Sequence, residues 1–260
     1  MSAPPDLLRT IIDAALAAGE EIACIYAAGC VVEEKSDGSP VTIADQRAEE
    51  IILARLAAAF PDIPVLAEEE AAAGRIPELD GRFFCVDPLD GTKGFALRNG
   101  EFTVNIAFVE AGAPVAGVIY APVPDLLYHG ARGEGAFRAR AGAPAEAIAT
   151  RAPPAHGLTG IGSRNHAASG TEDRAARLGI VDYLPSGSSL KFCMLAEGSA
   201  DVYPRWGRTM EWDTAAGQAI LEAAGGRVLA LDSDDRETGP LRYGKADRGF
   251  DNPHFIAWAR

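Results

Sequence analysis

The stretch Asp87-Pro88-Leu89-Asp90-Gly91-Thr92 constrains what this chain can fold into more than any other part of it. Residues 83–86 before it read Phe-Phe-Cys-Val, a length and composition that predict a buried β-strand. Because Pro88 has no N–H to give to a neighbouring strand, we expect the strand to end there and the chain to turn. Asp87 and Asp90 would then converge at one strand end.

The two aspartates of this stretch predict a metal site. Carboxylates at close range repel each other and would share a proton, unless a divalent cation makes the ionised pair favourable. Oxygen ligands of this kind suit Mg²⁺, whereas we would expect His or Cys in a Zn²⁺ site. Gly91 and Thr92 add backbone N–H groups and a hydroxyl at a predicted helix start, where a phosphate oxygen would bind. The same spacing fits an Asx-rich turn equally well, so both interpretations stay open at this point.

The composition limits the partners of the chain. Its 260 residues carry a formal net charge of −13, which argues against nucleic acids and anionic membrane surfaces as partners. A small anionic substrate stays compatible with that charge, because bound divalent cations reverse its sign locally. The four cysteines are scattered, and the sequence contains neither a signal-peptide pattern nor a membrane-span pattern. We therefore expect a reduced, cytoplasmic protein, for which a peripheral contact with the inner membrane stays open.

Two helices are predicted before the central stretch. Apolar residues recur at helical spacing over residues 6–26, with Asp6 as the N-cap and Gly29 closing the helix. Thr42 is predicted to cap a second helix that runs to about residue 60. Asp45 lies in its first turn, where a carboxylate would complement the helix dipole. Residues 65–67 predict a strand that leads into Glu68-Glu69-Glu70, which is either a solvated helix start or a carboxylate source beside Asp87 and Asp90.

The rest of the chain predicts two halves. Strand patterns over residues 102–109, 114–120 and 126–129, separated by turns, imply an antiparallel sheet. Residues 139–155 are rich in Ala, Pro and Gly, so we divide the chain into an N-terminal half, 1–145, and a C-terminal α/β half, 146–260. In the second half we expect residues 186–189 to cap a helix, and a long helix to run from Glu211 to the glycines 225–226.

An ordered set of motifs resembles a known family. Asp45, Glu68-Glu69, the central stretch, and Trp212-Asp213 followed by Gly225-Gly226 resemble the lithium-sensitive, Mg²⁺-dependent phosphomonoesterases of the inositol monophosphatase superfamily. Within it, the chain is most similar to the bacterial 3′(2′),5′-bisphosphate nucleotidases of CysQ type. The segments that carry this similarity are Lys35-x-Asp-x-Ser-Pro-Val-Thr-x-Ala-Asp45, Arg98-Asn-Gly-Glu-Phe-Thr-Val-Asn105, Gly187-Ser-Ser-Leu-Lys-Phe-Cys193 and Val202-Tyr-Pro-Arg205.

The resemblance implies a layered α/β fold, a five-layer αβαβα sandwich, and hydrolysis of the 3′-phosphate of adenosine 3′,5′-bisphosphate to AMP and phosphate. Metal would activate the attacking water, and no phosphoenzyme is expected, because no nucleophilic Asp, Ser or His lies in a recognisable motif. Two Mg²⁺ ions, with a looser third near Asp90, are implied, as is inhibition by Li⁺ and Ca²⁺. The implied ligands are Glu68, Asp87 and the Leu89 carbonyl for one metal, and Asp87, Asp90 and Asp213 for the other.

The resemblance also implies roles in catalysis and substrate binding. Glu68 and the Thr92 hydroxyl, oriented by Asp45, would activate the water, and the Gly91 and Thr92 amides would receive the reacting phosphate. The further groups implied to contact a nucleotide bisphosphate are Ser188, Lys191 and Arg205 at its 5′-phosphate and His166 near its base. Taken without the resemblance, these four residues fit an N-cap, a surface lysine, a salt-bridge donor and an ordinary loop histidine.

Two other functions stay open on the sequence. An inositol monophosphatase or other sugar phosphatase would share every metal residue but would have no use for a second anion site. A metal-dependent binding protein without turnover is the further alternative, and such a protein would be expected to lack Thr92, Glu68 or one of the aspartates. All of these residues are present.

Overall fold

Two mixed β-sheets with helices packed against them organise the chain. The structure is a computed structural model that describes residues 6–29, 31–34, 40–140, 143–162, 174 and 176–260. Lys35 and His166 therefore lie outside the described residues. Among the described residues, no helix combines the length and the apolar character needed to cross a membrane.

The N-terminal helices form the first layer. Helix α1 spans Leu7–Ala28 and α2 spans Ile43–Ala59, as the apolar spacing predicts. Gly29 closes α1 with a φ of 80° and donates its N–H to Ile25. Asp6 stands at the N-cap, but its side chain makes no capping hydrogen bond, so that part of the prediction is wrong. Both helices pack on one face of the first sheet and bury a core with it.

The first sheet has seven strands in the order β3-β4-β5-β6-β7-β8-β9. Its first pair is parallel and the remaining neighbours are antiparallel, which confirms the predicted hairpins. A separate ribbon pairs β1 (Val32–Glu34) with β2 (Pro40–Thr42). The strands of the sheet are β3 (Val65–Ala67), β4 (Arg82–Asp90), β5 (Thr103–Glu110), β6 (Ala113–Ala121), β7 (Leu126–Ala131), β8 (Gly135–Arg140) and β9 (Glu146–Ile148).

The predicted strand end at Pro88 is wrong. Strand β4 continues to Asp90, and its register against β5 shifts between Asp87 and Asp90. A bulge tolerates a residue without an N–H because the residues inside it are not paired in the ladder. The proline therefore does not end the strand but stands in the bulge between the two aspartates.

The second sheet has six strands in the order β11-β10-β12-β15-β13-β14. Helices α5 (Leu190–Ala196) and α6 (Ala215–Ala223) lie between the two sheets and share the largest core with both of them. Leu178 packs on a third core at the other face of the second sheet. The strands are β10 (Leu158–Gly162), β11 (Ile180–Pro185), β12 (Val202–Arg205), β13 (Arg227–Leu231), β14 (Glu237–Pro240) and β15 (Phe255–Trp258). The predicted layered α/β fold is confirmed.

Two details of the halves differ from or extend the predictions. The long helix does not begin at Glu211, because residues 211–214 form a turn and α6 begins only at Ala215. Strand β9 still pairs with β8 in the first sheet, beyond the division at residue 145, which stays a prediction. Two further short α-helices of the described residues are α3 (Glu68–Ala72) after β3 and α4 (Thr92–Ala96) after β4, and both begin at predicted site residues.

Candidate active site

Two aspartates of β4 and a third from a distant part of the chain meet where β4 ends. Carboxylate oxygens of Asp87, Asp90 and Asp213 all lie within 4.8 Å of one another, and we call these three residues the acid cluster. Asp87 is buried and accepts a hydrogen bond from the Leu89 N–H at 3.0 Å, inside the bulge. Asp213 comes from the turn before α6, and its Oδ2 accepts from the Met210 N–H at 2.7 Å. The structure thus brings together the residues that the sequence predicted for the second metal.

Glu68 stands at the first position of α3, directly after β3, which runs parallel to β4. Its charge acts on both Asp87 and Asp213, which places it beside the acid cluster. Glu49 of α2 contacts the first turn of α3. Its carboxylate accepts hydrogen bonds from the Glu69 and Glu70 N–H groups, each at 2.9 Å. Glu49 is buried, and burial raises its pKa to about 7.

Sequence reasoning missed Glu49. The signal that could have found it is its position four residues after Asp45, on the same face of α2. A buried carboxylate that caps a neighbouring helix satisfies backbone donors that the five-residue helix cannot satisfy itself. Glu49 therefore supports the backbone on which Glu68 stands.

Asp45 has both of the roles considered for it. It completes a capping box with Thr42, whose N–H and hydroxyl both donate to Asp45 Oδ2 at 2.7 Å. Its other oxygen, Oδ1, lies 3.1 Å from Thr92 Oγ1, which also lies 3.3 Å from the Leu89 carbonyl. The hydroxyl has one proton and can donate to only one of these acceptors at a time. Asp45 and Thr92 are therefore connected across the site as predicted.

Gly91 permits the start of α4. It is the N-cap residue and has a φ of 96°, a left-handed conformation that favours glycine. A Cβ atom at this position would lie 2.7 Å from the Glu101 carbonyl oxygen, so a larger residue would also displace the neighbouring backbone. The glycine thus lets the chain turn directly from Asp90 into Thr92.

The acid cluster is electrostatically unfavourable when ionised. Burial, followed by the charges of Glu68 and Asp90, raises the pKa of Asp87 well above its usual range. Burial and the neighbouring Asp90 raise the pKa of Asp213 to about 8. Burial is also the main reason that the pKa of Asp45 is raised. Bound divalent cations would reverse this balance, because they favour the ionised carboxylates.

The donor set of the cluster fits a hard cation. It consists of carboxylates without His or Cys, which are the ligands preferred by Mg²⁺ and not by Zn²⁺. Asn105, which pairs with Asp87 across β4 and β5, has a buried Oδ1 with no partner among the described residues. A buried acceptor of this kind requires a donor, and water in the shell of a cation would supply one. The residues present therefore fit a Mg²⁺ site.

Ser189 is a site residue that sequence reasoning missed. Its hydroxyl lies 2.7 Å from Asp90 Oδ2 and 2.9 Å from the Asp213 carbonyl, and it accepts from Asn105 Nδ2 at 2.9 Å. It stands at the N-cap position of α5 but makes no side-chain capping bond, so the predicted capping role is wrong for this residue. The buried hydroxyl instead links two members of the acid cluster.

Lys191 and Arg205 line a cavity of about 100 Å³ that also reaches Asp90 and Asp213, and we call it the Lys191 cavity. Lys191 is only 8% exposed, so the interpretation as a surface lysine is wrong. Its Nζ donates to the Ser188 carbonyl at 2.7 Å and lies 5.5 Å from the centre of the Tyr203 ring. Burial lowers the pKa of Lys191, because a desolvated ammonium is unfavourable.

Arg205 and Ser188 of the Lys191 cavity differ in how completely their side chains are hydrogen-bonded. Arg205 donates through one terminal nitrogen to the Arg208 carbonyl at 3.2 Å, while its buried Nε has no partner among the residues described. Ser188 has a φ of 53°, and its hydroxyl lies 2.5 Å from that of Thr103. The hydroxyl of Ser188 is thus occupied within the protein, whereas the guanidinium retains an unused donor.

A second opening reaches the acid cluster from the other side. This cavity of about 360 Å³ borders Glu68 and Asp213 and is walled by Met210, Trp212 and Phe250. Asp213 therefore borders both cavities, of which the first also contains Lys191 and Arg205 and the second contains several apolar side chains. The arrangement can hold divalent cations at the centre, an anion at one side, and solvent or product at the other.

Comparisons with known proteins identify the family of the chain. The model of the inositol monophosphatase family matches residues 5–253. The 3′(2′),5′-bisphosphate nucleotidase CysQ of Salmonella typhimurium is 45% identical over 224 residues, 85% of this chain and 89% of that protein. The protein of the same name from Escherichia coli O157:H7 is 42% identical over 251 residues, 96% of this chain and 98% of that protein.

Solved structures show the same relation. The crystal structure of CysQ from Bacteroides thetaiotaomicron, a bacterial member of the inositol monophosphatase family, is 41% identical, with a TM-score of 0.78 over 97% of each chain. The inositol monophosphatase from Anabaena is 29% identical, with a TM-score of 0.74 over 97% of this chain and 90% of that one. On this match of sequence and fold, the chain belongs to the inositol monophosphatase family.

Proposed function

We propose that this protein is a metal-dependent phosphomonoesterase that hydrolyses the 3′-phosphate of adenosine 3′,5′-bisphosphate to AMP and phosphate. The identity of 42–45% to proteins named 3′(2′),5′-bisphosphate nucleotidase supports the substrate class. The observation that carries the proposal is the Lys191 cavity, which places two cationic side chains beside the acid cluster. In a substrate with two phosphates, one would bind at the acid cluster and the other in the Lys191 cavity.

The metal ligands are proposed on the geometry of the acid cluster. Asp87, Asp90 and Asp213 would hold one Mg²⁺, and Glu68, Asp87 and the Leu89 carbonyl would hold another, with a looser third ion near Asp90. The closeness of the three aspartates and the raised pKa of Asp87 and Asp213 support this assignment. When bound, such ions activate water and stabilise charge on a phosphate undergoing in-line displacement.

The chain's own groups would orient the attacking water. Thr92 and Glu68 lie on the two short helices that follow the paired strands β4 and β3. Asp45 accepts the Thr92 hydroxyl proton, which leaves a Thr92 lone pair to receive a proton of the water. Glu68 is the carboxylate assigned to take the other proton of that water. The backbone N–H groups of Gly91 and Thr92 would receive oxygens of the reacting phosphate, and no phosphoenzyme would form.

The non-reacting 5′-phosphate would bind in the Lys191 cavity. Lys191 supplies a buried point charge, and Arg205 supplies a donor that has no partner among the described residues. Ser188 would contribute through its carbonyl, which fixes the Lys191 ammonium at 2.7 Å. The contact of His166 with the base stays a prediction, since that residue lies outside the described part of the chain.

An inositol monophosphatase is the alternative that shares the acid cluster. The experiment that separates the two is a comparison of kcat/KM for adenosine 3′,5′-bisphosphate and inositol 1-phosphate in the presence of Mg²⁺. We expect the bisphosphate to be preferred by at least about tenfold, since one charge-assisted hydrogen bond is worth roughly 1.5–3 kcal/mol. Equal or reversed preference would contradict the nucleotidase proposal and leave the phosphatase assignment intact. No release of phosphate from either compound would favour the binding protein without turnover.

Inhibition by other cations follows from the proposed metal sites. Li⁺ has nearly the radius of Mg²⁺ but half its charge, so we expect it to bind the looser site with product present and to inhibit uncompetitively. Ca²⁺ should inhibit because its larger and irregular oxygen shell disturbs the in-line geometry. Purely competitive inhibition by Li⁺ would contradict the looser site. A cytoplasmic location and the absence of nucleic-acid binding remain predictions from composition.

A further inference from the structure

A buried ion pair lies beside the turn that carries Asp213. Glu211, two residues before it, is fully buried. Its Oε1 lies 2.7 Å from the Lys245 Nζ and accepts from the Lys245 N–H at 2.8 Å, while Oε2 accepts from the Gly244 N–H at 2.7 Å. Both carboxylate oxygens are thus bound to one short segment of the chain. Lys245 is the fourth of only four lysines in the sequence.

The same segment holds the turn at a second point. Lys245 Nζ lies 3.1 Å from Asn252 Oδ1, and Asn252 Nδ2 donates to the Met210 carbonyl at 2.7 Å. Asn252 Nδ2 also lies 3.0 Å from the Thr214 hydroxyl. Residues 210–214 are therefore tied at both ends and through Glu211 to residues 244–252. We call Glu211, Lys245 and Asn252 the brace.

The turn needs external support because of what it carries. Asp213 must approach Asp87 and Asp90, and like charges at this distance repel each other. The hydrogen bond that fixes its carboxylate comes from the Met210 N–H, in the residue whose carbonyl Asn252 holds. Any movement of Met210 would therefore move the Asp213 carboxylate. A buried ion pair is poor evidence for stability as such, because both charges lose hydration, so a role in fixing geometry is the better explanation.

We propose that the brace positions Asp213 for a divalent cation, and that Glu211, Lys245 and Asn252 are positioning residues for that ligand. This rests on the proposed role of Asp213 in metal binding. It goes beyond that role by assigning metal affinity to three residues that lie outside the acid cluster. Groups that orient a metal ligand typically change metal affinity by about 10- to 100-fold when they are replaced.

The test compares the brace with an ion pair elsewhere in the protein. Asp201 is buried to a similar extent and pairs with Arg151 through two contacts of 2.8 Å at the far end of β12 from Arg205. The variants Glu211→Gln and Asn252→Leu are compared with the control Asp201→Asn and the reference Asp213→Asn. Binding of Mn²⁺ is measured by calorimetry without substrate, and amide hydrogen exchange of residues 210–214 is measured in EDTA.

We expect Glu211→Gln and Asn252→Leu to weaken Mn²⁺ binding by about tenfold or more and to accelerate exchange at Met210 and Asp213. Asp201→Asn should lower the melting temperature while leaving both readouts unchanged. If Asp213→Asn weakens Mn²⁺ binding and neither brace variant does, the brace proposal is overturned and the metal assignment of Asp213 stands. If Asp213→Asn leaves Mn²⁺ binding unchanged, the metal assignment fails and the brace proposal fails with it.

Discussion

The acid cluster and the Lys191 cavity lie side by side and share Asp90 and Asp213, but their charge requirements are opposite. In the cluster, burial raises the pKa of Asp87 and Asp213, and bound cations would stabilise their ionised forms. In the cavity, burial lowers the pKa of Lys191, and a bound anion would stabilise its charged form. Bound Mg²⁺ would offset the carboxylates of the cluster, and Lys191 and Arg205 would supply positive charge beside it, so the two regions together could receive two phosphates.

Removing one carboxylate from the acid cluster should have the largest effect. We expect Asp90→Asn and Asp213→Asn each to lower kcat/KM by at least about 10³-fold, roughly 4 kcal/mol of transition-state stabilisation. The metal-free proteins should melt at the same temperature as the wild type or slightly higher, because the cost of holding that carboxyl group beside the other acidic groups has been removed. Steady-state kinetics at saturating Mg²⁺ and calorimetry check the two halves of this prediction. Near-wild-type turnover in either variant would contradict the two-metal assignment.

Thr92 should matter next, because it transmits the effect of Asp45 to the water. Thr92→Val keeps the shape of the side chain and removes the hydroxyl, and we expect a loss of roughly 10²-fold in kcat with little change in KM. Thr150→Val is the control, since the buried Thr150 likewise uses its hydroxyl within the protein and donates it to the Ala224 carbonyl. A similar loss of kcat in both variants would point to general destabilisation.

Removing the charge of Lys191 should reduce activity less than removing a carboxylate of the acid cluster. Lys191→Met keeps most of the buried stem and removes the ammonium, so we expect kcat/KM for adenosine 3′,5′-bisphosphate to fall by about 10- to 100-fold. Adenosine 3′-monophosphate serves as the control substrate, because it has no 5′-phosphate and should lose little. An equal loss for both substrates would mean that Lys191 acts on the reacting phosphate.

The smallest effect concerns pH and the metal-free protein. Asp213 keeps a proton in the folded state up to about pH 8 but loses it near pH 3.8 when unfolded. The folded state therefore binds more protons between these values, and stability must fall as pH rises through this window. In EDTA the melting temperature should decrease by a few degrees from pH 5 to pH 8. Saturating Mg²⁺ should abolish the decrease and Asp213→Asn should reduce it, whereas a decrease that persists in both would exclude the acid cluster as its source.

The acid cluster could be predicted from the sequence because its core is contiguous. Asp87 and Asp90 lie three residues apart after an apolar run, and oxygen-ligand chemistry then indicates Mg²⁺. The burial of Lys191 could not be predicted in this way, because an isolated lysine is usually exposed. The suggestion that Lys191 binds a phosphate came from the resemblance to the nucleotidases and not from the residues around it in the sequence.

Contacts between distant segments account for most of what was missed. Ser189 meets Asp90 across 99 residues, and Glu49 meets Glu69 across 20, so no local pattern reveals either contact. The predicted strand end at Pro88 failed for a different reason, because a bulge can contain a proline that regular pairing would exclude. Local sequence patterns therefore predict single helices and strands well. They predict less well a site whose backbone is irregular or whose contacts join distant segments.

The central claim is that the two regions bind two phosphates of one substrate, and Arg205 tests it most directly. Wild type and Arg205→Ala are assayed with adenosine 3′,5′-bisphosphate and adenosine 3′-monophosphate, which closes a thermodynamic cycle. We predict that the variant loses about 10- to 100-fold in kcat/KM for the bisphosphate and almost nothing for the monophosphate. An equal loss for the two substrates would contradict the claim, because Arg205 would then serve the fold or the reacting phosphate.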